Sequence, residues 1–65
     1  MKTLIVKADD GREYHVDDPN GFYQHLVDFH SDNSIGNNSV HEENGYYFTV
    51  TPSFYDTVKI GRAHV

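Results

Sequence analysis

The stretch TLIVKADDGREYHV, residues 3–16, decides how this chain begins to fold. Two runs rich in β-branched and aromatic residues flank Asp9-Asp10-Gly11, the pattern of a β-hairpin. A three-residue loop fits it, with Asp9 and Asp10 in a type I turn and Gly11 as a left-handed bulge. That loop sets Ala8 opposite Arg12, Lys7 opposite Glu13, Val6 opposite Tyr14, Ile5 opposite His15 and Leu4 opposite Val16. Apolar residues meet apolar ones and Lys7 meets Glu13, the cross-strand pairs that stabilise a ribbon. A two-residue turn at Asp10-Gly11 sets Val6 against His15 and Lys7 against Tyr14, and loses both matches. The core face is therefore Leu4, Val6, Tyr14 and Val16, with Ile5 on the other side.

Next comes DDPNGFYQHLVDFH, residues 17–30. Asp18 suits a helix N-cap and Pro19 the first helical position. Phe22, Leu26 and Phe29 recur at helical spacing and predict the buried stripe, widened by Tyr23 and Val27. Residues 31–39 carry no periodicity and read as a loop. Val40 to Glu43 and Tyr46 to Thr51 flank Asn44-Gly45, the preferred pair for a type I′ turn, and predict a second hairpin. In FYDTVKI, residues 54–60, aromatic and β-branched content favours a further strand. The alternative is a short helix capped by Thr51 with Pro52 first. Residues 61–65 read as a loose tail. The expectation is one α+β domain over residues 1–65, ββα-ββ(β), with one helix on one face of a mostly antiparallel sheet.

Composition narrows the functions. At 65 residues the chain buries only ~60% of its unfolded surface, so its stability is marginal. It has no cysteine, which removes disulfides and thiolate metal sites. Ten acids against five Lys or Arg give a net charge of −5, and the basic residues form no patch. Both facts argue against direct nucleic-acid binding. The apolar run Leu4-Ile5-Val6 is too short for a signal peptide, and no stretch spans a membrane, so a cytoplasmic protein is expected.

No chemistry has a complete motif. In HSDNSIGNNSVHEENG, residues 30–45, an EF-hand frame with Gly36 sixth and Glu42 twelfth leaves Ser31 and Ile35 at ligand positions. HEENG, residues 41–45, begins like a zinc-protease motif but has Gly45 where the second His belongs. Scattered ligands remain: His25, His30 and His41, with Glu42 or Glu43. His25 and His30 are five residues apart, about 140° around an ideal helix, so regular helix cannot bring both to one ion. His30 near a helix end has another role, since the dipole favours its protonated form. There is no nucleophile elbow, phosphate-binding loop or cofactor fingerprint, so no catalytic residue, cofactor or metal is assigned.

These readings predict a small acidic, non-catalytic, protein-binding or regulatory module. Ile5 and Tyr47 are expected on an open sheet face, where they mark a surface for a protein partner or for self-association. A second reading takes Asp9, Asp10, Glu13, Asp17 and Asp18 as a mimic of a phosphate backbone that blocks a basic groove. The third is a metal-binding protein or metal-assisted enzyme using the scattered His and Glu residues.

Overall fold

The computed structural model describes residues 3–64. The chain is α+β, as expected from the sequence. It runs β1 (Leu4–Lys7), β2 (Glu13–Val16), α1 (Pro19–Phe29), β3 (Ser31–Asp32), β4 (Ile35–Gly36), β5 (Val40–Glu43), β6 (Tyr46–Thr49) and α2 (Pro52–Ala63). The strands are antiparallel as expected, but in place of the single expected sheet they form three separate pairs, β1–β2, β3–β4 and β5–β6.

The first hairpin has the expected register, from Leu4 opposite Val16 to Lys7 opposite Glu13. Gly11 stands at φ 89°, the left-handed conformation the bulge requires. Leu4, Val6 and Val16 are buried and Ile5 is exposed. Lys7 and Glu13 face each other without closing an ion pair. Among the described residues the pairs are Arg12 with Asp10 and His41 with Glu43. The second expected hairpin also forms, with Asn44 at φ 53° and Gly45 at φ 82°. Its second strand stops at Thr49, and Thr51 becomes a helix cap.

The expected helix is present, with the Asp18 carboxylate accepting the Gly21 N–H. Phe22 and Leu26 are buried, but Phe29 is 66% exposed. It is the last helical residue, and it lies outside the core beside the exposed His25 ring, 4.8 Å away between centroids. The preference for a strand at residues 54–60 is overturned, and so is the count of one helix. Thr51 Oγ1 accepts the Phe54 N–H at 3.0 Å, Pro52 opens the first turn, and α2 runs to Ala63. The cap overrides the strand propensity because helix α2 buries Tyr55 and Val58 on one stripe. The loose tail expected at residues 61–65 is mostly helical, and Val65 lies outside the described residues. Residues 31–39 are not a plain loop either. Asn33 and Ser34 both take positive φ, a turn that joins β3 to β4.

One core joins the pieces. Leu4, Val6, Ala8, Val16, Phe22, Leu26, Phe48, Val50, Tyr55 and Val58 form a single buried cluster. The two long hairpins are sewn together at one end. Asp9 N–H donates to the Tyr47 carbonyl, and the Asp9 carboxylate accepts both Thr49 N–H and Thr49 Oγ1–H.

Gly36 sets the position of the β3–β4 hairpin. A Cβ there would lie 2.7 Å from the Thr51 carbonyl carbon and the Val50 oxygen, and closer still to the Thr51 oxygen. These are backbone atoms at the start of α2 and cannot swing aside. Gly36→Ala should therefore cost ~1–3 kcal/mol, the range for overpacking. Urea unfolding measures it, and an unchanged midpoint would show that the hairpin is free to move.

A second expectation concerns alkali. Tyr55 is buried, and its hydroxyl lies 3.3 Å from that of Tyr23. Burial first, and the Tyr23 hydroxyl second, raise the Tyr55 phenol above its ordinary value of 10.0. A pKa raised by folding leaves stability whole below the unfolded value and removes it as pH rises beyond. Unfolding midpoints should fall above pH 10 and fall less in Tyr55→Phe; equal slopes in both proteins would discount the phenol.

Candidate metal centre

The three-histidine group of the sequence comes together. His25 lies on α1, His30 is the C-cap residue of α1, and His41 lies on β5. Each offers one nitrogen, and these nitrogens all lie within 4.8 Å of one another. The ring centroids are 5.4 Å apart for His25 and His30, 4.6 Å for His25 and His41, and 5.3 Å for His30 and His41. His25 is exposed, His30 half-buried and His41 buried.

The helical spacing argument against this grouping fails at the cap. His30 has φ −132° and ψ 23°, outside the helix, so the 140° offset no longer governs its side chain. His41 arrives by strand register. It pairs with Phe48, which is fully buried, and cross-strand partners share a face. That signal was present in the sequence, since a two-residue Asn44-Gly45 turn fixes the pairing.

Two of the imidazoles have one nitrogen each engaged in a hydrogen bond. His41 Nε2 lies 3.1 Å from Glu43 Oε1, and Glu43 Oε2 accepts the Tyr14 hydroxyl. The Tyr14 oxygen in turn accepts Asn44 Nδ2–H at 2.8 Å. An ionised carboxylate only accepts, so a neutral imidazole facing one through Nε2 is the Nε2–H tautomer. His30 Nδ1 lies 2.7 Å from Ser39 Oγ. Asn37 Oδ1 accepts both the Ser39 N–H and the Ser39 hydroxyl. The hydroxyl's one proton is thus spent, and His30 Nδ1–H must donate to it, which leaves Nε2 basic. Metal-bound histidines show this arrangement, one nitrogen on the ion and the other fixed by a carboxylate or oxygen acceptor.

Electrostatics favours the neutral ring at His30. Burial first, then the charges of His41 and His25, lower its pKa from 6.5. The expected gain from the helix dipole is therefore outweighed. The Tyr14 phenol is raised, by burial and then by its bond to Glu43. Beside the centre lies a cleft of 540 Å³, walled by His25 and His41 and by Tyr14, Asp17, Asp18, Glu42 and Glu43 among others.

The remaining candidate residues lie elsewhere. Ile5 and Tyr47 are 47% and 58% exposed. Asp9 is spent on Thr49, and Asp10 on Arg12, which bonds it through Nε at 2.6 Å. The Arg12 guanidinium also covers the Tyr46 ring at 4.2 Å. The backbone N–H and side chain of Arg12 hold the Asp10 carboxyl below its ordinary value. Glu13 and Asp17 are exposed. His15 and His64 are exposed and outside the three-histidine group. Among the described residues no helix is long and apolar enough to cross a membrane.

The hydrogen-bond pattern fixes two tautomers that NMR reads directly. Above pH 7, long-range nitrogen–proton spectra should show His30 as the Nδ1–H form and His41 as the Nε2–H form. The reverse assignment for either ring would break the donor argument. No family model, curated protein or solved structure matches this chain.

Proposed function

We propose that this chain is a small metal-binding domain whose ligands are His25, His30 and His41. The observation that carries the reading is the convergence of three imidazoles whose donor nitrogens lie within 4.8 Å. A tetrahedral ion with bonds of ~2.0–2.1 Å needs nitrogens about 3.4 Å apart, so a small closure of the rings makes the site. His25 is exposed at the mouth and has the freedom to supply that closure. Neutral imidazoles select zinc and its borderline neighbours, while calcium and magnesium seek oxygen. Three protein ligands also match the open class of zinc site, which keeps one position for another donor.

Calorimetric titration tests this. Zinc or cobalt should bind one per chain, and calcium and magnesium should give no heat. His25→Ala suits the test because that side chain is exposed and its loss leaves the core intact. It should weaken binding by more than about tenfold, and Glu43→Gln, acting through His41, by ~10–100-fold. At free zinc ~100 times its dissociation constant the fold should gain ~2.7 kcal/mol. Absence of zinc binding, or binding indifferent to His25→Ala, would overturn the proposal.

Protein docking is the second reading, supported by the exposure of Ile5 and Tyr47 on the two long hairpins. Sedimentation of the wild type against an Ile5→Lys, Tyr47→Lys variant separates them. A wild type monomeric at every concentration excludes self-association, and a dimer that survives both charges places the interface elsewhere.

A further inference from the structure

Register fixes which backbone groups of β1 are free. Ala8 N–H donates to the Arg12 carbonyl, one step past the pairing of Lys7 with Glu13. Inward and outward backbone groups alternate along an antiparallel ladder. Leu4, Val6 and Ala8 therefore turn their N–H and C=O groups to β2, and Ile5 and Lys7 turn theirs away. On that side β1 has no neighbouring strand. Asp9, next in the outward row, already gives its N–H to the Tyr47 carbonyl of β6. Among the described residues, Ile5 and Lys7 make no backbone bond of that kind.

Beside this row lies a groove of 460 Å³, lined by Ile5, Val6 and Lys7 and by Thr49, Phe54 and Thr57 of β6 and α2, among others. Side chains alternate between the two faces of a strand, so three consecutive residues border one groove only along the strand's edge. The free backbone row and the groove therefore coincide. The charges beside it are unequal. Lys7 makes no ion pair among the described residues, although Glu13 stands opposite it on β2. Asp9 is the other charged residue of the lining, and Thr49 engages both of its oxygens. An edge lysine discourages pairing with a strand that offers it no acid. β1 reads Leu-Ile-Val-Lys and offers none to a second copy of itself. Two copies at net charge −5 also repel each other.

We propose that the free edge of β1 takes an extended, acid-bearing segment of a partner protein as a further antiparallel strand. Unpaired backbone groups recognise an extended chain, and alternate side chains then give the selection. The antiparallel sense is the more stable one per residue. It sets an acid of the segment opposite Lys7 and, two residues later, a β-branched apolar residue opposite Ile5. The inference is independent of the metal reading. It rests on the docking reading and moves the contact from the sheet face to the strand edge.

Amide NMR of the labelled chain tests this with the capped peptide Ser-Glu-Thr-Val-Ser. The Ile5 and Lys7 amides should shift saturably as the peptide is added. In the proposed register the peptide's Glu and Val N–H groups bond β1 and its Thr N–H points away. N-methylation at Glu or at Val should therefore weaken binding about fivefold, the loss of one hydrogen bond. N-methylation at Thr should leave it within about twofold. Lys in place of the peptide's Glu should weaken binding about threefold, and Lys7→Gln, at an exposed position, should erase that difference. No saturable shift at Ile5 and Lys7 below about 5 mM peptide overturns the inference. Equal losses from all three N-methyl groups overturn the edge pairing and leave docking on the face that carries Ile5. Equal binding of the Glu and Lys peptides overturns the acid selection. Shifts of the same amides on concentrating the protein alone assign the edge to a second copy and overturn the partner.

Discussion

Phe48 is the residue on which the rest of this fold leans. It is fully buried, and five rings surround it: Tyr14, Phe22, His41, Tyr46 and Phe54, with centroids 5.5 to 6.5 Å away. Those rings come from the first hairpin, from α1, from the β5–β6 hairpin and from α2. A chain of 65 residues without cysteine has no covalent staple. Aromatic side chains bury ~150–250 Å² each and give a short chain its largest return in buried area. His41 belongs to this ring of contacts. The packing that makes the core also sets the position of the most buried imidazole of the centre.

The fold was most legible where a turn and a register constrain each other. Asp9-Asp10-Gly11 admits one loop that satisfies the flanking pairs, and every pair of that hairpin stands as read. Asn44-Gly45 does the same for β5 and β6. Reading failed where propensity and capping disagree. FYDTVKI has strand composition, but Thr51 and Pro52 start a helix, and packing of Tyr55 and Val58 keeps it. It failed again at Phe29, because periodicity continues the apolar stripe past the point where the chain leaves the helix. The β3–β4 turn uses Asn33 and Ser34, and a serine at positive φ is not a turn signal.

The site was half legible. The sequence offers all three histidines, with Glu42 or Glu43, as a possible set from composition alone. Their grouping was then set aside because an ideal helix separates His25 from His30. A cap residue escapes that geometry, and helix ends are the least certain boundaries in a sequence. The acids divided differently. Asp10 and Asp18 make the local turn and cap bonds that the sequence suggests, whereas the Asp9 carboxylate bonds Thr49 on the other long hairpin. Asp17, which had no local role, lines the cleft.

The relation between core and centre bears on what kind of site this is. In small zinc domains the ion often supplies the folding free energy, and the chain is unfolded without it. Here ten apolar residues close one core, and His41 alone among the three histidines is buried with them. The segment between His30 and His41 is held by backbone contacts as well as by the bond between Ser39 and the His30 ring. Asn37 N–H bonds the His30 carbonyl, Asn38 N–H bonds Val50, and Gly36 lies against the backbone of Thr51. Closing so short a loop with an ion adds little chain entropy to stability. The fold therefore groups the three imidazoles without an ion, and in the proposed reading an ion would gain affinity from that order rather than supply the folding free energy.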